Sequence, residues 1–181
     1  DFNAGLKDSA WQVIPTAWVE AAMQRWKPRD AKGPMDSMGV DVSRGGDDET
    51  VVSRRHGFWF DELLVHTGAE TPNGPAAAGH VMVARRDRAP VHIDIIGIGS
   101  SAYDFLISND IHTVACNGAE GTDEKTKDDQ LRFYNVRARD WWRMREALDP
   151  ENPQPISLPQ DSVLKADLCA PLYNVGPRGI L

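Results

Sequence analysis

Near the start of the chain, apolar residues recur with helical spacing at Val19, Ala22, Met23 and Trp26. Pro15 and Thr16 open the helix they predict and Pro28 closes it. From Lys27 to Pro34 the composition turns polar, with Gly33 and two prolines, as a linker would. Three strand candidates follow: Met38 to Val42, Thr50 to His56, and Phe58 to His66. A Gly-Gly-Asp-Asp turn and Gly57 separate them, and such short spacing favours an antiparallel meander. After Pro72 and Pro75, Ala76 to Arg86 returns to helical spacing. Pro90 then introduces an apolar run, Val91 to Ile98, interrupted by His92 and Asp94. Ser100 and Ser101 are expected to cap a helix containing Phe105 and Leu106, and Thr113 to Cys116 predicts a further strand. The order is β-β-β-α-β-α-β. Residues 118–130 are almost free of apolar groups and predict a mobile loop. A helix is expected over Ala138–Leu148, with Trp141, Met144 and Leu148 on one face. A proline-rich connection then leads to a last helix near Asp161–Ala170.

Length and composition narrow this picture. With 181 residues, 41% hydrophobic and 26% charged, the chain suffices for one ordinary domain with its own core. No apolar run approaches 18 residues and no basic stretch precedes an apolar h-region, so neither a membrane span nor a signal peptide is expected. Cys116 and Cys169 stand far apart, which suggests neither a disulfide framework nor a zinc site and fits a reducing cytosol. A net charge of −7 argues against a wholly basic nucleic-acid coat and leaves room for a local basic face. The chain opens at Asp1 without an initiator Met and stops just after an apolar turn sequence, so it is read as a piece of a longer protein. Residues 1–36 form a lead-in helix and linker, and residues 37–181 form the domain, cut short at its C-terminus.

The candidate chemistry lies in two aspartates embedded in apolar β runs. Asp41 stands between Val40 and Val42, and Asp94 between Ile93 and Ile95. Desolvation disfavours a carboxylate in a strand, so each needs a cation or hydrogen-bond donors opposite it. Side by side they would repel each other unless hard divalent ions neutralised them. Mg²⁺ or Mn²⁺ fits that requirement, and a pair of such ions suits phosphodiester hydrolysis. The bland alternative is that each aspartate accepts hydrogen bonds from turn N–H groups. Asp47, Asp48 and Glu49 are ordinary turn residues, one of which is a candidate to complete a metal shell. Gly97-Ile98-Gly99-Ser100-Ser101-Ala102 mimics a dinucleotide fingerprint, but the acidic residue that should end the following strand is missing. The glycines are read instead as a tight turn that keeps side chains away from Asp94. No P-loop and no G-x-S-x-G elbow occurs. The five histidines are scattered, and His92 shares a strand face with Asp94. Of the 20 basic residues 14 are Arg, in clusters that include Arg85-Arg86 and Arg137-Arg139, a choice that suits phosphate forks.

Four segments in register, GVDVSRGGDDETVV, VHIDIIGIGSSAYDFL, FYNVRARDWWRMREAL and LKADLCAPLY, resemble the nuclease domain of the large terminase subunit of tailed bacteriophages and prophages. The lead-in VIPTAWVEAAMQRW resembles the stretch that joins that family's ATPase motor to its nuclease. The resemblance implies an α/β, ribonuclease H-like mixed sheet flanked by helices, with three antiparallel strands and then alternating helices and parallel strands. It implies an Mg²⁺- or Mn²⁺-dependent endonuclease that cuts concatemeric DNA during genome packaging in the host cytoplasm. The partners it implies are double-stranded DNA, the portal protein and the small terminase subunit. Asp41 corresponds to the first-strand catalytic aspartate and Asp94 to the fourth-strand acid, while Asp47 or Asp48 lies where some members place an auxiliary metal-binding aspartate. The family's third carboxylate lies beyond Leu181. Asp161 and Asp167 look like a helix cap and a solvated helix residue. Arg44, Arg85, Arg86 and Arg137 are the candidate DNA contacts.

Three rival readings stay open on the sequence alone. One is a resolvase- or transposase-type nuclease of the same fold, and another is a non-catalytic module docking DNA or portal. The third is a nucleotide-binding protein using the turn at Gly97.

Overall fold

The computed structural model describes residues 9–28, 33–43 and 45–180. Its elements run α1 (Thr16–Arg25), β1 (Ser37–Asp41), β2 (Glu49–His56), β3 (Trp59–Phe60), β4 (Leu64–Thr67), α2 (Gly74–Ala84), β5 (Val91–Asp94) and α3 (Gly99–Ser108). They continue with β6 (Thr113–Cys116), α4 (Val136–Leu148), α5 (Ser162–Cys169), β7 (Val175–Gly176) and β8 (Gly179–Ile180). Two compact units result: Lys27 to Asn117, and the described residues up to Trp26 together with those from Gly118 onward.

The first unit is a six-stranded mixed sheet in the order β3-β2-β1-β5-β6, with β4 also paired to β2. The β1–β2, β2–β3 and β2–β4 pairs are antiparallel, and β1–β5 and β5–β6 are parallel. Alternation along the strands decides what is buried. Met38 and Val40 of β1 and Val91 and Ile93 of β5 share one face and pack into a single core with Ala78 and Val81 of α2 and Ala102 and Leu106 of α3. Each fully buried aliphatic side chain of this kind contributes about 1.5–3 kcal/mol relative to exposure. Asn73 caps α2 by accepting from the Ala76 amide at 3.0 Å, with Pro75 in the first turn, where its missing N–H costs nothing.

Two expectations for this unit are corrected. The run Phe58–His66 is not one strand: β3 and β4 both lie on β2, interrupted at residues 61–63. Arg54 of β2 engages the interruption: its Nη2 pairs with Asp61 at 3.2 Å and donates to the Glu62 carbonyl at 3.1 Å. Ser100 and Ser101 do not cap α3 either. The helix begins at Gly99 with Ile98 at the capping position, and Ser100 Oγ donates to the Gly97 carbonyl at 2.9 Å.

In the second unit α1 packs on α5 and α4, burying Val19, Ala22 and Met23 as the helical spacing predicts. Asn135 caps α4 through the Ala138 amide at 2.9 Å, and Asp161 caps α5 through the Val163 and Leu164 amides. Phe133, Ala138 and Ile180 form a small core bordered by Trp142 and Tyr173. Arg145 lies 5.0 Å from the Trp18 ring and 5.3 Å from the Trp142 ring, and donates to the Val13 carbonyl at 2.5 Å. Residues 118–130 are not a free loop. Lys125 bridges to Arg132, buried Thr126 receives the Leu131 amide at 3.2 Å, and Glu124 pairs with Arg139 at 2.7 Å and with Arg143. Long-range ionic contacts, invisible to a count of apolar residues, fix this segment. Among the described residues no helix is long and apolar enough to cross a membrane.

Candidate functional site

The parallel register of β1 and β5 runs Met38 to Val91, Gly39 to His92 and Val40 to Ile93. One step further, Asp41 and Asp94 stand level at the C-terminal ends of adjacent strands. Val40 and Ile93 point into the core, so the two carboxylates share the opposite face with Gly39 and His92. Desolvation, and after it the negative charge of Asp94, push the Asp41 carboxyl above its ordinary value. The fold therefore holds two like charges close enough to feel each other.

The turn after β5 holds Asp94 in place. Its Oδ1 accepts from the Ile96 amide at 2.9 Å. A Cβ at Gly99 would collide with the Asp94 carbonyl oxygen, so only glycine lets α3 start this close to the acid. Gly99 thus makes the tight strand-to-helix turn that the sequence suggests, while a Cβ at Gly97 would meet nothing.

Beyond Asp41 the chain is tied down by hydroxyls. Thr50 and Thr71 are fully buried. The Ser43 amide donates to Thr50 Oγ1 at 3.2 Å, Ser43 Oγ lies 3.2 Å from the same atom, Thr50 Oγ1 lies 2.9 Å from Thr71 Oγ1, and Thr71 donates to the Thr67 carbonyl at 3.1 Å. Each hydroxyl has one proton, so the direction is forced: Ser43 donates to Thr50, Thr50 to Thr71, and Thr71 to the carbonyl. A Cβ at Gly68 would strike the Gly45–Gly46 backbone, so the β1–β2 turn also rests directly on the corner after β4. Sequence reading missed these threonines. The available signal was Thr50, a polar residue in the buried phase of a strand.

Asp47 and Asp48 lie exposed in that turn. Arg44 lies outside the described residues. Arg85 and Arg86 serve the end of α2: Arg85 Nε donates to the Ala89 carbonyl at 2.6 Å, and Arg86 Nη1 to the Val83 and Arg85 carbonyls at 2.6 and 2.7 Å. They precede β5 and so lie at the opposite end of that strand from Asp94. Arg137 is exposed in the first turn of α4, in the other unit. Among the histidines, buried His56 donates from Nδ1 to the Gly33 carbonyl at 2.8 Å, and His66 stacks on His80 with ring centroids 3.9 Å apart.

Among the described residues no group of three or more His, Cys, Asp or Glu is assembled to hold a metal ion. The Asp41–Asp94 pair nevertheless fits a hard divalent cation. Both donors are carboxylate oxygens, their repulsion is what such a cation relieves, and Mg²⁺ commonly binds through one or two carboxylates with water completing its shell.

A mixed sheet in which antiparallel β1 to β4 are continued by parallel β5 and β6, with α2 and α3 across one face, is a ribonuclease H-like fold. It is the fold of phage large terminase nuclease domains. The nuclease domain of the large terminase subunit gp2 of bacterial virus Sf6 superposes with a TM-score of 0.64 at 18% identity, over 92% of this chain and 85% of that one. A variant of that domain with manganese and beta-thujaplicinol gives 0.66 over the same shares, also at 18% identity. The large terminase nuclease from thermophilic phage G20c with bound magnesium gives 0.57 at 13% identity, over 90% of this chain and 85% of that one. No family model and no curated protein matches the sequence.

Proposed function

We propose that this chain is the metal-dependent endonuclease domain of a phage large terminase subunit, cutting concatemeric viral DNA during genome packaging. The observation that carries the reading is the level pairing of Asp41 and Asp94 at the ends of two parallel strands, with the Asp41 carboxyl raised by desolvation and by its neighbour. The solved neighbours bearing manganese or magnesium on this fold support it.

Asp41 and Asp94 would hold Mg²⁺ or Mn²⁺ in a two-ion arrangement, with Asp48 or Asp47 as the auxiliary ligand. Bound there, such ions supply Lewis acidity and neutralise the charge gathering on a phosphodiester. The protein's own contribution is position. The Ile96 amide orients Asp94, and the Ser43–Thr50–Thr71 chain holds the turn that carries Asp47 and Asp48. Contacts to phosphate carry no base information, so cutting is expected to be largely independent of sequence. Double-stranded DNA is the substrate, portal protein and small terminase subunit are the protein partners, and the host cytoplasm is the setting.

Asp41→Asn and Asp94→Asn should each lower Mn²⁺-dependent nicking of supercoiled plasmid by about a hundredfold or more, the scale of losing an electrostatic group at the reacting centre. They should also abolish the Mn²⁺-induced rise in melting temperature while leaving the circular dichroism spectrum unchanged. Undiminished nicking by either variant would overturn the assignment.

A further inference from the structure

Arginines in the unit from Gly118 onward divide into two sets. Arg139 and Arg143 are held by Glu124, and Arg145 by the Val13 carbonyl and two tryptophan rings. Arg132, Arg137 and Arg178 are exposed, and among the described residues no ion pair engages them. All three gather at one residue, Tyr134. The Arg178 guanidinium lies 4.9 Å from its ring centroid. Arg132, Arg178 and Tyr134 line an open groove of about 950 Å³, and Arg137 and Tyr134 line a second cavity of about 280 Å³.

The backbone makes this face rigid. Phe133 is buried at 3% exposure, so Arg132 and Tyr134 on either side of it turn outward together. The Tyr134 amide donates to the Ile180 carbonyl at 2.9 Å and the Ile180 amide to the Arg132 carbonyl at 2.8 Å, which ties both residues to the β7–β8 hairpin carrying Arg178. Among the described residues Asp123 is the one carboxylate lining the groove.

We propose that Arg132, Arg137 and Arg178, gathered round Tyr134, form a surface that contacts the phosphate backbone of duplex DNA. Guanidinium forks match phosphate oxygens in pairs, and stacking on Tyr134 orients that of Arg178 before any ligand arrives. The stacked guanidinium also occupies the ring that an unpaired base would need. This favours backbone contact with a duplex over base stacking with a single strand. The proposal rests on DNA being the substrate, as proposed above, but places the grip on residues other than the carboxylate pair.

The test is fluorescence anisotropy of a labelled duplex of about 30 base pairs with the full chain, in EDTA so that hydrolysis is silent, over a series of KCl concentrations. Arg132→Ala and Arg178→Ala should each weaken binding equally for unrelated sequences and make the log–log salt slope shallower by about one, and by about two together. Arg178→Lys, which keeps the charge, should retain the slope. Lys165→Ala, whose ammonium Glu20 already holds, should leave both quantities unchanged. Unchanged affinity and slope in the Arg132→Ala/Arg178→Ala variant would overturn the proposal, even if that face bound a protein instead. So would an equal loss in Lys165→Ala. If Asp41→Asn still cut DNA while these slopes moved, the assignment of the carboxylate pair as the cutting site would fail and this surface would stand.

Discussion

Each of the two units of this chain is held together internally, and by different means. From Lys27 to Asn117, apolar alternation fills one sheet face, and charge is left at strand ends, where Asp41 and Asp94 stand level and no ion pair engages them among the described residues. From Gly118 onward the apolar core is small, and arginines act as braces. Arg139 and Arg143 clamp Glu124, and Arg145 is held between two tryptophans. Satisfied charges mark structure in this chain, and unsatisfied ones mark candidate chemistry. The aspartate pair and the three arginines round Tyr134 belong to the second kind.

If that contrast is right, the two units should fail in different ways. The largest effect on stability should come from apolar volume in the sheet unit. Leu106 is fully buried, and Leu106→Ala should cost about 2–5 kcal/mol in denaturant unfolding. Next is Thr50→Val, which leaves the Ser43 amide and one lone pair of Thr71 without their partner and should cost about 1–3 kcal/mol. Thr50→Ser should restore most of it. Because the altered residue ties down the turn after Asp41, Mn²⁺ titration of Thr50→Val should also show weaker binding.

Smaller again is a pH effect at the carboxylate pair. The Asp41 carboxyl is raised in the folded chain, so its stabilising contribution is present below the unfolded carboxylate value and is lost as pH rises through the folded one. Metal-free protein should therefore gain melting temperature from Asp41→Asn at pH 7 and gain nothing at pH 3. Mn²⁺ should reverse the order at pH 7. Equal melting temperatures of variant and parent at both pH values would mean that the Asp41 carboxyl is not raised. The smallest effect should follow Glu124→Gln, which loosens the clamp on Arg139 and Arg143. Global melting should barely move, while protease nicking within residues 118–130 accelerates; no change in nicking would show that the backbone bonds and Thr126 fix the segment without the ion pairs.

What the sequence made legible follows the same division. Asp41 and Asp94 stood out because apolar neighbours on both sides made a charge there anomalous, and the strands carrying them are short and locally patterned. Asp161 as a cap, and Val19, Ala22 and Met23 as a buried face, are likewise local matters of spacing. The break at residues 61–63, the anchoring of residues 118–130 and the hydroxyl chain were not legible. Each depends on a partner brought close only by folding: Arg54 for Asp61, Arg139 for Glu124, Thr71 for Thr50. Ser100 and Ser101 misled because serine before a helix ordinarily caps it, whereas the close seat of Gly99 on Asp94 starts α3 sooner.

The interruption after β3 has a consequence at higher protein concentration. An unbroken run from Phe58 to His66 would offer a second copy a long row of backbone donors and acceptors along the outer side of β2. Divided into pieces of two and four residues, with Asp61 and Glu62 between them, that border is a poor template for another strand. Exposed Glu62 adds a charge at the interruption, while Arg54 pairs with Asp61 beside it, and both features limit edge-to-edge association between copies of the chain.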